Sequence, residues 1–498
     1  MPSTAQHRAA RLDRLITDAM EGMHADTKEH VNGKVSDSSM VPDLLRYLLN
    51  DHGNAERLIA LSRDLLRYSH AFRRWMYWDE FRWASDTVDH SRKLGKQAML
   101  EFLRQAIDAK VEAAENFARQ SLNAKRIASM LSMAECEIFV TPDQLDQHPF
   151  ILNFLNGEVD LRSGELHQHC REHYLTKLIH FNYRPGTPCQ LFLATLARLM
   201  GAHPDASEAE LERADRLISY LQKAFGYSLT GSTSEKAVFM LYGGGSNGKT
   251  TLLSLFLSLL EEYATLLQID TLMVRQESTN AQADLADLRG ARFVMTSETE
   301  EGQRLAEGKL KRISQGMGRI KAVRKYENPI EFDETHKLFM DCNHRPVVRG
   351  TDNAIWQRLH LIPFTVTIPP EEIDKELPAK LLNEAEGILA WTVAGAVRWW
   401  KEGLGRPPEV QYAAEEYRSE MDQIGRFIRE CCIELPTAHE RAKDLYSAYK
   451  AWAEEGGEYT ITANLLGRKL AERGYQKRDT GGSPEYQGIA IQRRGNLG

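Results

Sequence analysis

Long apolar runs are scarce in this chain. Its longest, such as LLSLFLSLL at 252–260, fall well short of the ~20 residues that a bilayer-spanning helix needs, so no membrane partner is expected. The opening MPSTAQHRAARLDRL has no apolar core of the kind a secretory leader carries, and no leader is expected. Cysteine is sparse as well. The six thiols, Cys136, Cys170, Cys189, Cys342, Cys431 and Cys432, form no C-x-x-C pair and no repeated spacing. That argues for reduced thiols in a soluble cytosolic protein and against a disulfide framework. His167, His169, Cys170 and His173 gather in LHQHCREHY, but no second ligand cluster follows, so the segment reads as a polar strand rather than a zinc site. An excess of positive charge is also missing: 63 Lys and Arg stand against 70 Asp and Glu, a formal net charge of −7. The overall sign does not announce a nucleic-acid binder, and any such surface has to be local.

The residues that are present are organised around Glu235 to Thr250, EKAVFMLYGGGSNGKT. An apolar run from Ala237 to Tyr242 is followed by glycines at 243, 244, 245 and 248, then Lys249 and Thr250, then the helix-like TLLSLFLSLLEEY. This predicts strand, phosphate loop and helix. Gly243 and Gly248 stand at the spacing G-x-x-x-x-G-K-[ST], which wraps backbone N–H groups around a polyphosphate and sets it on a helix N-terminus. The expected nucleotide-binding residues are Gly243, Gly245, Ser246, Asn247, Gly248, Lys249, Thr250 and Thr251. Lys249 would reach the β- and γ-phosphates and Thr250 would hold Mg²⁺.

With 498 residues, two to four domains are expected. Residues 1–40 read as a polar arm and linker. From Val41 the pattern turns helical in VPDLLRYLLNDHG and NAERLIALSRDLLRY. MYWDEFRWAS then reads as a tight hairpin with Trp78 and Trp83 flanking the turn, and Ser91 to Ser132 as a long helical stretch. Asn156-Gly157 and Ser163-Gly164 mark turns between short strands, and a helix is expected from about Ala206 to Tyr227. No internal repeat or low-complexity segment stands out in this half. The whole of 41–230 is read as a helical N-terminal domain with β-hairpins.

Beyond the phosphate-loop helix, LLQIDTLM reads as a second strand, and ADLADLRG as a short helix feeding the strand ARFVMTSE. Glu298 ends that strand, where a nucleotide hydrolase needs a carboxylate to polarise water and help hold Mg²⁺. Ser297 stands before it, and Glu300 is the fallback acid. From Lys309 to Lys325 come seven basic residues (Lys309, Lys311, Arg312, Arg319, Lys321, Arg324, Lys325) and no acid. IKAVRKY, ENP and IEF predict a β-hairpin with Lys325 and Tyr326 near its tip, suited to a phosphate backbone without carrying sequence information. KLFMDCN is another strand, ending on Asn343, whose amide can orient water or sense the γ-phosphate. Arg358 follows in the apolar context of Trp356 and Leu359. An arginine with no intramolecular reason to sit there suits an arginine finger, with Arg345 and Arg349 as competitors.

The order GGGSNGKT, FVMTSETEEG, LKRISQG, IKAVRKYENPIEF, KLFMDCNHRP and TDNAIWQRLHLIPF resembles the superfamily III helicase core of the phage and plasmid primase-helicase family, related to the poxvirus primase-helicase. DHGNAERL, WMYWDEFRW and FILNFLNGEVDLRSGEL resemble the domain that precedes the helicase in that family. EYRSEMDQIGRFIRECC and DLYSAYKAWAEEGGEYTITANLLGRKLAERGY resemble its C-terminal winged-helix-like domain. The resemblance implies a multidomain α/β protein: a helical N-terminal domain with small β elements, an AAA+ core at 231–405 and a winged-helix-like domain at 406–498. It implies a hexameric ring that hydrolyses ATP between subunits with Mg²⁺ and draws DNA 3′ to 5′ through its pore. Lys249, Thr250, Glu298, Asn343 and Arg358 match Walker A, Walker B, sensor and finger positions. The hairpin of Lys321, Arg324, Lys325 and Tyr326 matches the pore element. Three departures stand out: Ser297 where many such enzymes carry an Asp, SQGMGRI in place of a Thr-Gly-Gly-Asp turn, and Gln357 where a second arginine is frequent.

From Asn464 to Gly498 seven basic residues face three acidic ones, a local balance of 7 − 3 = +4. In a winged-helix arrangement the third helix would carry Arg468 and Lys469 to a major groove, with Lys477 and Arg478 on phosphates. Origin recognition is the preferred role, and a ring-closing or partner-binding domain is the alternative. Only some 40 residues precede the helical domain, so a separate primase is expected, together with other replication proteins, single-stranded and forked DNA, and the cytoplasm of a host cell. The expectation is a replicative helicase of a phage, satellite or plasmid. The rivals are an initiator or loader ATPase that melts DNA without processive unwinding, and a nucleotide-switched assembly or defence module.

Overall fold

The structure is a computed structural model that describes residues 42–274, 284–296, 302–316, 318–323, 330–350, 353–479 and 484–492. The first nine of these are not helical, against the pattern read in VPDLLRYLLN. Their carbonyls are spent elsewhere: the buried guanidinium of Arg57 takes those of Leu44, Leu48 and Tyr47 at 3.0, 2.9 and 2.7 Å and stacks 3.7 Å over the Phe102 ring. Helix α1 (Asp51–Ser62) starts instead at Asn50, whose side chain accepts from the Gly53 N–H.

Strands β1 (Leu66–Ser69), β2 (Arg74–Trp78) and β3 (Trp83–Ser85) form an antiparallel sheet in which Trp78 faces Trp83 across the expected hairpin. The Asp79 carboxylate closes its turn by accepting from the Phe81 and Arg82 N–H groups at 3.0 and 2.8 Å. The stretch read as one long helix is three: α2 (His90–Asp108), α3 (Glu112–Ser121) and α4 (Ala124–Ala134). Lys110, at φ 58, ends the first, and Asn123 caps the third by accepting from the Arg126 N–H. Next come β4 (Ile151–Phe154), β5 (Gly157–Asp160) and β6 (Glu165–His167), a meander with its turns where the glycines predicted them.

Helices α5 (Gln190–Leu199) and α6 (Glu208–Leu229) lead to β7 (Val238–Tyr242) and α7 (Lys249–Leu260). The strand expected at LLQIDTLM is earlier and shorter, β8 (Ala264–Leu267), because it matches four residues of its partner β9 (Phe293–Thr296); Ile269–Thr271 is a single tight turn. Then follow α8 (Glu307–Arg312), β10 (Arg319–Ala322), β11 (Ile330–Asp333), β12 (Lys337–Cys342), α9 (Asn353–Trp356) and β13 (Leu359–Pro363).

Five strands make a parallel sheet in the order β13-β7-β12-β9-β8. A parallel sheet is covered on both faces and its strands read as continuous apolar runs. VFMLY and KLFMDC are such runs, and every residue of β12 is buried. On one face Phe225, Phe256, Phe293, Phe339 and Phe239 pack ring on ring, with 3.8 Å between the centroids of Phe225 and Phe256. On the other, Val238, Met240, Val294, Leu338 and Met340 share a second core with Ile355, Trp356 and Tyr417. At the sheet's N-terminal end, buried Arg292 and Lys337 donate to the carbonyls of Leu229 and Thr230, placing hydrogen-bond donors where the carbonyls of α6 end.

Helices α10 (Leu377–Leu382), α11 (Ala385–Glu402) and α12 (Pro408–Met421) follow, with α11 packed along α6. The last part runs α13 (Gln423–Cys431), β14 (Cys432–Arg441), α14 (Ala442–Glu455), α15 (Ala463–Glu472), β15 (Lys477–Asp479) and β16 (Pro484–Ile491), with an antiparallel sheet ordered β14-β16-β15. It has its own core, centred on Phe427, Leu445, Tyr449, Leu470 and Ile489. The chain is thus a mixed α/β, multidomain protein built on a parallel-sheet core. Among the described residues no helix is long and apolar enough to cross a membrane.

Candidate functional site

The glycine-rich loop lies at the C-terminal end of β7, between the ends of β12 and β13, where open α/β sheets bind ligands. Two of its glycines answer a steric demand. A Cβ on Gly243 would sit 2.1 Å from the Phe364 carbonyl oxygen, and Gly248 starts α7 at φ +76. Gly244 and Gly245 face open space, and Ser246, also exposed, accepts from the Ile368 N–H at 2.7 Å. Asn247 is buried and braces the loop from inside, donating to the carbonyls of Gly244 and Phe364. No side chain caps α7, so its first N–H groups point into the loop, ready for an anion. Thr251 is half-buried on the first turn.

Lys249 is only 2 % exposed, and its ammonium is held by the carbonyl of Gly243 at 2.9 Å, Asn247 Oδ1 at 2.9 Å and Asn343 Oδ1 at 2.8 Å. Lys249 and Asn343, 94 residues apart, therefore meet at the mouth of the loop, because parallel pairing of β12 with β7 brings both strand ends to one level. Thr250 is exposed on the same turn. Its hydroxyl donates to Asp341 Oδ2 at 2.5 Å, and Asp341 Oδ1 lies 3.8 Å from the Lys249 ammonium.

Asp341 was not read as a site residue. Two signals pointed to it: it is the one acid in the apolar strand KLFMDC, and it stands two before Asn343, on the same side of the strand.

Arg358 lies elsewhere. Its backbone carbonyl accepts from Val238, at the N-terminal end of β7 and so at the opposite end of the sheet from the loop. Contrary to expectation it also has an intramolecular anchor: Nη1 donates to the Ala354 carbonyl at 2.6 Å, closing the end of α9. Of its competitors, Arg345 is committed within the chain, to Glu416 at 3.1 Å and Glu420 at 2.7 Å, with its guanidinium 4.2 Å over the Tyr242 ring. Burial works against its charge, and the two carboxylates outweigh it, so its pKa is raised. Arg349 stacks 4.2 Å over Tyr459. Near the base of the sheet, burial lifts the Glu334 carboxyl to about 7 against the pull of the Gly316 N–H, Lys337 and Arg358.

Glu298, its neighbours Ser297 and Glu300, and the hairpin residues Arg324, Lys325 and Tyr326 lie outside the described residues. The hairpin's base is described and revises one expectation. The run of basic residues without an acid does not make a purely basic face, because antiparallel pairing sets Lys321 opposite Glu331 and Arg319 opposite Asp333, the latter 3.2 Å apart. Lys321 itself points outward. In the C-terminal part Arg468, Lys477 and Arg478 are exposed and Lys469 is half-buried. His173 contacts Glu158 at 2.5 Å and His169 contacts Asn153 at 3.0 Å.

Comparison with known proteins gives three family matches in chain order: D5 N terminal like over residues 55–201, a family of unknown function over 241–358, and poxvirus D5 protein-like over 419–484. Among curated proteins, "Putative helicase L207/L206" of Acanthamoeba polyphaga mimivirus is 26 % identical over 329 residues, covering 62 % of this chain and 33 % of that protein. "Putative helicase 022R" of Frog virus 3 is 25 % identical over 280 residues, 52 % of this chain and 29 % of the relative. "Putative primase C962R" of African swine fever virus is 25 % identical over 337 residues, 62 % and 34 % respectively. The match thus spans about a third of the length of these relatives. Among solved structures, the apo C-terminal region of NrS-1 aligns with a TM-score of 0.46 at 13 % identity, over 87 % of this chain and 98 % of that one; a likeness of that size carries no argument.

Proposed function

Taking as premise that the chain is related to the D5-type, primase-helicase-like family, we propose that it is an ATP-dependent replicative DNA helicase of a phage, satellite or plasmid. It works as a hexameric ring moving 3′ to 5′ on single-stranded DNA in a host cytoplasm. The observation that carries this reading is the convergence of Lys249, Thr250 and Asn343 on one glycine-rich loop at the end of a parallel sheet.

In this reading Lys249 leaves its loop carbonyls for the β- and γ-phosphates, and N–H groups at the start of α7 take the remaining phosphate oxygens. Asn343, released from Lys249, orients the attacking water, and Glu298 accepts its proton. Arg358 serves a neighbouring subunit's nucleotide. The Thr250 hydroxyl donates a hydrogen bond to Asp341, which leaves its lone pairs for a hard cation and so fits Mg²⁺. Bound Mg²⁺ neutralises charge on the phosphates.

The domain division is part of the proposal: a helical domain at 41–230, an AAA+ core at 231–405 and a winged-helix-like domain at 406–498. The core that runs from Leu152 to Val410 crosses both of these boundaries, and α12 packs Ala413 and Tyr417 into the sheet's second core, so the first two parts share an interior and α12 packs with them. Helix, strand, two helices and two strands in the last part support the winged-helix reading, in which exposed Arg468, Lys477 and Arg478 and half-buried Lys469 would meet origin DNA. The test of the catalytic site is Lys249→Ala, which is expected to abolish ATP hydrolysis with an unchanged circular dichroism spectrum; retained turnover overturns the assignment.

A further inference from the structure

We infer that Asp341 is a Mg²⁺-site carboxylate, holding the nucleotide's cation together with Thr250, a task the sequence reading had shared between Thr250 and Glu298 alone. The inference rests on the nucleotide-hydrolase reading above and deepens it.

Three observations converge. Asp341 is fully buried in a strand that is otherwise apolar around it, and a carboxylate is costly to bury unless something compensates its charge. The compensation here is local: the Thr250 hydroxyl donates to Oδ2 at 2.5 Å, and the Lys249 ammonium stands 3.8 Å from Oδ1. Thr250 and Lys249 are also the two side chains of the loop motif that engage the cation and the phosphates. With Lys249 turned to a nucleotide, its ammonium would stand farther from Oδ1, and Asp341 with Thr250 would hold a divalent ion that supplies positive charge there. The exchange ties nucleotide entry to metal entry.

Strand β12 pairs with β9 up to Met340 and Thr296, and Asp341 is the residue that follows, one step past the described end of β9. Oxygen donors from a hydroxyl and one or two carboxylates, completed by phosphates and water, are the usual Mg²⁺ environment.

The test uses the full chain and Asp341→Asn, whose amide keeps the shape and removes the charge. Affinity for a fluorescent, non-hydrolysable ATP analogue is measured with Mg²⁺ and with EDTA, and Mn²⁺ binding is followed by electron paramagnetic resonance in the presence of the analogue. The wild type is expected to bind the analogue at least about tenfold more tightly with Mg²⁺. In Asp341→Asn that ratio is expected to collapse toward one, with weakened Mn²⁺ binding and undiminished affinity in EDTA. A variant that keeps the wild-type ratio and Mn²⁺ affinity overturns the inference, as does a wild type indifferent to Mg²⁺. A wild type that binds no nucleotide under either condition overturns the hydrolase reading itself. Should Asp341→Asn not fold, Fe²⁺ substituted for Mg²⁺ in the wild type, with ascorbate and peroxide, is expected to cleave the backbone around Asp341; cleavage that spares β12 overturns the inference.

Discussion

Replacing Arg358 with alanine is expected to silence ATP hydrolysis without weakening nucleotide binding, and the loss should be reparable by another subunit. Strand β13 pairs in parallel with β7, Leu359 with Val238 and Pro363 with Tyr242. Arg358 is therefore level with Ala237, while the loop opens at Gly243. Six residue steps at ~3.3 Å put roughly 20 Å between them along the sheet, beyond the span of an arginine side chain. Within one chain Arg358 cannot touch phosphates held by Lys249; in a ring it can serve only a neighbour. Its bond to the Ala354 carbonyl is worth about 1 kcal/mol, too little for its loss to unfold the sheet. A finger supplies about 10³–10⁵ in kcat, or roughly 4–7 kcal/mol of barrier at ~1.4 kcal/mol per decade. Phosphate release is measured for Arg358→Ala, Lys249→Ala and equimolar mixtures of the two, alongside the affinity of an ATP analogue. Each variant alone should be inactive and the mixture should regain part of the activity, because a mixed interface can pair an intact loop with an intact Arg358. A fully active Arg358→Ala, or a mixture as dead as its components, refutes the reasoning.

Two further outcomes follow from the same geometry. Burial raises the Glu334 pKa from the ordinary 4.5 to about 7, so the folded state holds this proton more tightly than the unfolded chain. Its contribution to stability is whole below about pH 4.5 and is lost as pH rises through about 7, at most ~3 kcal/mol; denaturation midpoints should fall between pH 5 and 8, and Glu334→Gln should flatten that slope, whereas equal slopes contradict the burial argument. Because Lys321 and Arg319 face acids across the hairpin's base, DNA contact is assigned to its tip. Lys325→Ala should keep basal ATP hydrolysis and lose its stimulation by single-stranded DNA, and wild-type stimulation removes the pore assignment.

The strand, glycine-rich loop and helix from Val238 to Leu260 were legible because their signals are local: an apolar run, glycines at fixed spacing and an apolar helix, all within 26 residues of Glu235. The hairpin at Trp78 and Trp83 and the turn at Asn156-Gly157 were legible for the same reason. What escaped depends on contacts between distant residues. Asp341 gains its meaning from Thr250, 91 residues away in the chain. The segment 42–50 has a helical pattern, yet its carbonyls answer to Arg57. The ten residues of β14, CIELPTAHER, were not read as a strand because Pro436 and the charges obscure alternation. As an edge strand of β14-β16-β15 with a register shift between Glu434 and His439, it tolerates both. Charge along the sequence misled in a parallel way, since the acids opposite the basic run arrive from the partner strand.

The central claim is that ATP hydrolysis at this loop drives DNA unwinding. Its most direct test is strand displacement by the purified protein on two partial duplexes, one with a 3′ tail and one with a 5′ tail, with Lys249→Ala as the blank. ATP-dependent displacement from the 3′-tailed substrate alone is the predicted result. Displacement from neither, in a preparation whose ATP hydrolysis is stimulated by single-stranded DNA, contradicts it and leaves an ATPase that remodels DNA without unwinding it.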